Sequence, residues 1–307
     1  MIYAIMSGNA GNQFFQYAFA RKVMLKKSDK LTIDMRHVLK GNNKHKAEDV
    51  LKYFNTVNFI ENTDSKYYPI QRFIYALLLR VLPPLTDKRY TFLRKHVSTL
   101  NKLGIYFYDG PDYLQFNYDS NTKNTLINGY FECEKYFEDI KDILIEELTP
   151  KYPLLDSNKD LYNEIINSES ICVTVRRFDE TSNNTFYSCD ARYFYNGVNY
   201  IKSIYPSSKV FVFSDDINWC KENLDFKCET YYESGNDPIW EKVRLMSSCK
   251  HFVISNSTFS WWAQYLSKNK NKIVVGPRIW RNEERVIDIY SDSWVYLDDK
   301  GNKTVHE

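Results

Sequence analysis

Two features of the sequence predict an α/β fold with parallel sheets. Near the N-terminus the apolar stretch Ile2–Ile5 runs into the turn Ser7-Gly8-Asn9-Ala10-Gly11-Asn12, then a helix from about Gln13 to Leu25, then a second strand at Leu31–Asp34. A β-α-β start of this kind calls for a parallel sheet. From residue 170 onward strands and helices alternate, which is the pattern of a Rossmann-like, nucleotide-binding half.

The remaining elements follow in order. Residues 35–65 are polar and show no readable period. Across 66–95 the basic residues Lys66, Arg72, Arg80, Lys88, Arg89, Arg94 and Lys95 face one acid, Asp87, while apolar residues from Phe73 to Leu82 interleave at roughly helical spacing before Pro83-Pro84. One reading is a core-facing helix with solvated basic ends; the other is an interfacial patch for anionic lipid headgroups. Thr149-Pro150-Lys151-Tyr152-Pro153 punctuates the middle and divides the chain into domains 1–152 and 153–307.

In the second half a strand is expected at 170–176 and a helix from Asp190 to about Ile204. A strand at Lys209–Phe213 then leads through Ser214-Asp215-Asp216 into a helix ending near Leu224. Asp237-Pro238 opens a helix to Cys249, with proline at the first helical position. Strand Phe252–Ile254, helix Phe259–Leu266 and strand Ile273–Val275 complete the series.

Composition narrows the function. The chain has 307 residues, 43% hydrophobic and 26% charged, with a net charge of +2, so nucleic-acid binding through bulk charge is not favoured. None of the six cysteines forms a C-x-x-C pair, which argues against a zinc site and for reduced thiols in a reducing compartment. The start Met1–Met6 lacks a basic region, and the longest apolar run, Phe73–Leu79, is far below the ~20 residues a membrane span needs. A soluble cytoplasmic protein is expected.

The richest motif is Thr174-Val175-Arg176-Arg177-Phe178-Asp179. It closes the apolar run Ile171-Cys172-Val173, so two arginines and an aspartate fall where a parallel strand ends, the usual ligand side of an open α/β sheet. Arginine matches phosphate oxygens with a planar fork of donors. Gly8-Asn9-Ala10-Gly11-Asn12-Gln13 is neither a dinucleotide fingerprint nor a Walker A loop. It reads either as a tight turn or as a close backbone approach to a ligand, with Asn12 offering its amide.

Ser255-Asn256-Ser257-Thr258-Phe259 precedes a helix, and a single cap accounts for only one of its polar residues. That helix start suits an anion. Ser214-Asp215-Asp216 lacks a third ligand and makes a poor magnesium site. Of the five histidines only His251 adjoins a candidate site strand.

Together these pieces resemble the bacterial α-1,2-fucosyltransferases, glycosyltransferase family 11. Gly8-x-x-Gly11-Asn12-Gln13-x-Phe15-Gln16-Tyr17-Ala18 is similar to the family's opening. Gly129-Tyr130-Phe131-Glu132-Cys133-Glu134-Lys135-Tyr136-Phe137 resembles its G-Y-[WF]-Q-S-E-K-Y-F segment, Thr174–Asp179 its H-x-R-R-x-D motif, and Leu245–His251 with Ser255–Trp262 its most distinctive stretch. The chain departs from the pattern at Thr174 (usually His), Phe178 (usually small) and Cys133 (usually Ser).

The resemblance implies a GT-B-like fold, two Rossmann-type domains facing each other across a cleft, with the acceptor on the first and GDP-β-L-fucose on the second. It implies an inverting, metal-independent transfer, with no cofactor beyond the co-substrate, onto the 2-hydroxyl of a galactoside in an O-antigen-type lipopolysaccharide glycan. Arg176, Asn12 and Asp179 are the expected catalytic residues. Donor contacts are expected from Gly8, Gly11, Thr174, Arg176, Arg177, Asp215, His251, Ser255, Asn256, Ser257, Thr258 and Phe259. A lipid-linked acceptor would give 66–95 a role at the inner membrane of a bacterial cytoplasm. A different nucleotide-sugar donor, or a glycan- or nucleotide-binding relative without turnover, are the alternatives.

Overall fold

The computed structural model describes residues 1–39, 48–61, 70–82, 86–119, 122–177, 189–282 and 286–306. Phe178 and Asp179, and with them the expected role of Asp179, lie outside the described residues. The chain divides into two compact units. The first holds Met1–Lys52, Thr56–Leu144 and Val286–Ile289, and the second holds Tyr53–Asn55, Ile145–Arg285 and Tyr290–Glu307.

In the first unit the elements run β1 (Ile2–Ile5), α1 (Ala10–Lys27), β2 (Leu31–Asp34), α2 (Arg36–Leu39), β3 (Ile60–Glu61), α3 (Ile70–Val81), α4 (Asp87–Lys102), β4 (Ile105–Tyr108) and β5 (Thr125–Gly129), and α5 (Lys141–Glu147) leads from it into the second. Their five strands form a sheet of order β3-β2-β1-β5-β4, every pair parallel. Helix α1 starts at Ala10, three residues before the sequence suggested, so Gly11, Asn12 and Gln13 lie in its first turn. Its ring of Phe14, Phe15 and Phe19 is buried.

The Gly129–Phe137 segment builds this core. Gly129 has φ +154°, and a Cβ there would fall 2.0 Å from the Tyr108 carbonyl oxygen. Phe131 stacks on Phe19 at 4.0 Å between ring centroids, and the Tyr136 hydroxyl accepts from the Leu114 amide at 2.9 Å.

The described part of the 66–95 stretch falls into two helices, α3 and α4. The core-facing reading of the first holds only in part: Phe73, Leu77 and Val81 are exposed, whereas Ile74 and Leu78 are half-buried and Leu82 just beyond it is buried. On α4, Arg89 is buried against Asp109 at 2.9 Å and Arg94 pairs with Asp112 at 2.6 Å. Arg89 is an internal strut of the unit, whereas Arg94 keeps its ion pair on the exposed surface.

The second unit runs α6 (Lys159–Asn167), β6 (Ser170–Val175), α7 (Ala191–Ile204), β7 (Lys209–Ser214), α8 (Ile217–Asn223), β8 (Thr230–Tyr232), α9 (Ile239–Ser247), β9 (His251–Ile254), α10 (Thr258–Tyr265), β10 (Val274–Val275), β11 (Tyr296–Leu297) and β12 (Lys303–Thr304). Its main sheet, order β10-β9-β6-β7-β8, is parallel throughout, while β11 and β12 form an antiparallel pair. The central strand β6 is buried along its whole length, as its apolar run demands. Asp190 and Asp216 cap α7 and α8 through their side chains, whereas Pro238 is itself the N-cap residue of α9.

Beneath the second unit Glu241 ties α9 to the chain that enters it. Its carboxylate accepts from the Leu155 amide at 2.9 Å and from Asn158 at 3.3 Å, and pairs with Arg244 Nε at 2.9 Å.

Candidate active site

Parallel strands deliver their carboxyl ends to one edge of the sheet. In the second unit that edge gathers Arg176 and Arg177 after β6, Asp215 after β7 and Ser255–Thr258 after β9. The register fixes this, since Thr174 lies opposite both Phe213 of β7 and Ile254 of β9.

Hydrogen bonds fasten the three segments. The Ser214 hydroxyl donates to the Val175 carbonyl at 2.9 Å. Asp215 accepts the Arg177 amide at 2.9 Å and forms an ion pair with Arg176 Nη1. Arg177 turns away to lie over the Trp219 ring at 3.9 Å, a cation–π contact. The two arginines therefore diverge, as alternation along an extended strand requires. Arg176 is part-exposed at the edge and Arg177 is stacked on α8. Asp215, expected as a donor contact, is the partner that orients Arg176. Under this loop, burial raises the Cys220 thiol above its ordinary pKa.

The turn before α10 has a division of labour. The Ser255 amide donates to the Thr174 carbonyl at 3.1 Å and to its hydroxyl at 3.3 Å. Asn256 donates to the Trp280 carbonyl at 3.0 Å. Ser255 and Asn256 are both buried, and so is Thr174, at 3% exposure. These three brace the turn from below and offer no open face to a ligand. Ser257, Thr258 and Phe259 are half-buried at the start of α10, and the Ser257 hydroxyl makes no capping bond to its helix. The first-turn amides of a helix have no intrahelical acceptor, so this end attracts an anion.

His251 is not part of this group. It opens β9 and lies opposite Ile171, at the amino end of the strands, whereas Arg176 follows their carboxyl end. It is 1% exposed. Its Nε2 faces Glu169 at 2.7 Å, and its Nδ1 accepts from the Ile273 amide at 3.0 Å. Burial lowers its pKa, and the Glu169 carboxylate opposes that shift. The expected donor contact is corrected to a structural role.

In the first unit, Gly8 has φ +76°, and a Cβ on it would sit 2.6 Å from the Asn12 side-chain nitrogen. Glycine is thus needed both for the backbone and for room beside Asn12. Gly11 is buried inside α1 and Asn12 is half-buried. Gln13 and Gln16 hold the turn: Gln13 donates to the carbonyls of Gly8 and Glu48 at 3.0 and 2.8 Å, and Gln16 accepts the Ser7 amide at 2.9 Å.

Two residues of the second-unit cluster carry no sequence motif. One is Trp219, which follows the cap residue Asp216 by three positions. The other is Glu233, buried just past β8, which pairs with Lys242 at 2.9 Å and accepts the Ser214 amide at 3.4 Å. The only signal for either is its position just after a strand or cap. Among the described residues no three His, Cys, Asp or Glu side chains are grouped to hold a metal ion.

Two parallel α/β units of this kind define the GT-B-like class of fold. Residues 1–298 match the Glycosyl transferase family 11 description, and the chain belongs to that family. It is 27% identical to the Escherichia coli alpha-1,2-colitosyltransferase, covering 97% of this chain and 99% of that protein. It is also 27% identical to the E. coli O-antigen biosynthesis glycosyltransferase WbnK, covering 96% and 100%. Among solved structures, fucosyltransferase NodZ from Bradyrhizobium shares the fold with a TM-score of 0.54 at 14% identity, covering 86% of this chain and 92% of that one. NodZ alpha-1,6-fucosyltransferase soaked with GDP-fucose gives 0.54 at 13%, over 86% and 91%.

Proposed function

We propose that this chain transfers L-fucose from GDP-β-L-fucose, with inversion and without a metal, to the 2-hydroxyl of a galactoside in a lipid-linked, O-antigen-type glycan. The observation that carries the reading is the Arg176–Asp215 pair beside the start of α10, within a chain matched to family 11 over 1–298. Cleaving the fucosyl–phosphate bond concentrates negative charge on the departing diphosphate. A fixed guanidinium and a helix N-terminus stabilise such charge as it develops, each good donor contributing ~3 kcal/mol. Arg176 takes the diphosphate, with Ser257, Thr258 and Phe259 at the helix start. Arg177 and Trp219 hold the strand-end turn in shape. The Gly8–Asn12 turn of the first unit, where Gly8 and Gly11 were expected as donor contacts, is assigned to the acceptor, with Asn12 orienting the attacking hydroxyl.

One second reading has a specific basis. A relative matched over nearly its full length is named for colitose transfer, so a colitosyl donor is the alternative to fucosyl. Incubating the protein with GDP-fucose, and separately with a colitosyl donor, on a panel of β-galactosides, with mass spectrometry and linkage analysis of products, decides both donor and acceptor. Calorimetry that finds tight UDP binding and no GDP binding would sink both readings.

A further inference from the structure

Helix α3 leaves part of its apolar surface in water. Ile70, Phe73, Leu77 and Val81 are 72%, 73%, 54% and 64% exposed. At 3.6 residues per turn these four positions fall within an arc of about 80°, so they form one stripe. Ala76 and Arg80, on its flank, are exposed as well.

The side facing the unit is held by polar anchors set among the half-buried Ile74, Leu78 and Leu79. Gln71 is buried and donates to the carbonyls of Leu103 and Asn124 at 3.2 and 3.1 Å. Arg72 pairs with Asp34 at 3.1 Å, and the Tyr75 hydroxyl accepts from Asn128 at 2.6 Å. An amphipathic helix of a soluble domain ordinarily buries its apolar stripe, and a contiguous one left in water marks an interaction surface.

Charge identifies the partner. Helix α3 contains no carboxylate, and the single acid in α3 and α4 together is Asp87. Arg80, Lys88, Lys95 and Lys102 of these helices are exposed. We propose that α3 docks the protein onto an anionic lipid bilayer. The stripe sinks to the headgroup–acyl boundary, and Arg80 extends along its edge to the lipid phosphates. At 12 residues the helix is about 18 Å long, so it lies in the membrane plane and does not cross it. A second copy of the chain fits the stripe less well, because Arg80 of each copy would meet a helix without an acid.

The test uses the full-length chain. Its binding to sedimentable vesicles of phosphatidylethanolamine with phosphatidylglycerol is compared with binding to phosphatidylcholine vesicles. The proposal expects partition onto the anionic vesicles to be about tenfold stronger, and Phe73→Glu/Leu77→Glu to weaken it by a further tenfold or so. The variant should keep its circular dichroism and its turnover on a water-soluble galactoside. Should it unfold, Phe73→Ser and Leu77→Ser carry the same comparison singly. Equal binding to both vesicle types overturns the proposal, as does binding that survives these substitutions. A wild-type dimer in sedimentation velocity that Phe73→Glu/Leu77→Glu dissociates also overturns it, and gives the stripe to a second copy. The readout is lipid partition, so its failure leaves the donor and acceptor assignments standing.

Discussion

Asp215 holds Arg176 and Arg177 at once, the first by an ion pair to its guanidinium and the second through its backbone amide at 2.9 Å. One carboxylate thus sets both the direction of a side chain and the course of the chain that carries it. Arg176→Ala is expected to lower kcat by about 10²–10³ while the fold survives. Asp215→Asn, which keeps a hydrogen-bond acceptor but removes the charge, should lose about tenfold. Steady-state rates with GDP-fucose check the order; an Asp215 variant more damaged than the Arg176 variant would reverse the assignment.

Thr174 stands where the family motif has histidine, and its hydroxyl accepts from the Ser255 amide at 3.3 Å. Thr174→Val keeps the shape and removes that acceptor. The expected cost is about 1 kcal/mol of stability, softened by the second bond to the Thr174 carbonyl. Thr174→Ser should be close to neutral. Urea unfolding of the two variants separates them.

Gly8→Ala places a methyl group 2.6 Å from the Asn12 side-chain nitrogen at a φ of +76°. The expected strain is about 1–2 kcal/mol. KM for the galactoside should rise while GDP affinity, measured by calorimetry, stays unchanged. An equal loss of GDP affinity would contradict the acceptor role given to this turn.

His251 makes stability depend on pH. Burial lowers its folded pKa, whereas in the unfolded chain it titrates near about 6.5. As pH falls through that value the unfolded chain gains a proton that the folded chain refuses, so stability declines. The loss stops growing once pH passes below the folded value. Melting temperature should fall between pH 7.5 and 5.5, and fall less in His251→Gln. Parallel curves for the two proteins would assign the dependence elsewhere.

Glu241 is buried, with two hydrogen bonds and the Arg244 ion pair converging on it. Glu241→Gln leaves Arg244 without its counter-charge and is expected to cost about 2–3 kcal/mol, seen as a lower melting temperature in calorimetry. GDP affinity per folded molecule should be unchanged, because Glu241 acts on the framework and not on the strand-end cluster.

Much of the fold was legible because parallel strands announce themselves as continuous apolar runs. Ile171–Val175 and Lys209–Phe213 need no partner to be recognised, and Asp190 and Asp216 mark their helices by capping chemistry. The strand-end position of Arg176 follows from the same logic. Register is another matter. The sequence shows that His251 adjoins a strand, but only the pairing Ile171 to His251 reveals which end. Periodicity likewise exposes the stripe on α3 without saying which way it faces, because Gln71, Arg72 and Tyr75 decide that through contacts with Asn124, Asp34 and Asn128, which are distant in sequence. β4 and β5 went unread, β5 because its Thr-Leu-Ile-Asn-Gly mixes polar and apolar residues and β4 although Ile105-Tyr106-Phe107-Tyr108 is an unbroken apolar run.

The bonds that tie the ends of β6, β7 and β9 together have a thermodynamic corollary. The Ser214 hydroxyl, the Asp215 carboxylate and the Ser255 amide each join two strand ends that a ligand would otherwise have to assemble. The entropy of ordering that edge is lost once, when the chain folds, and not again at each encounter with a nucleotide. Fold stability and ligand affinity are therefore coupled at this edge: a substitution that loosens one strand end dilutes the binding-ready population without removing a single ligand contact.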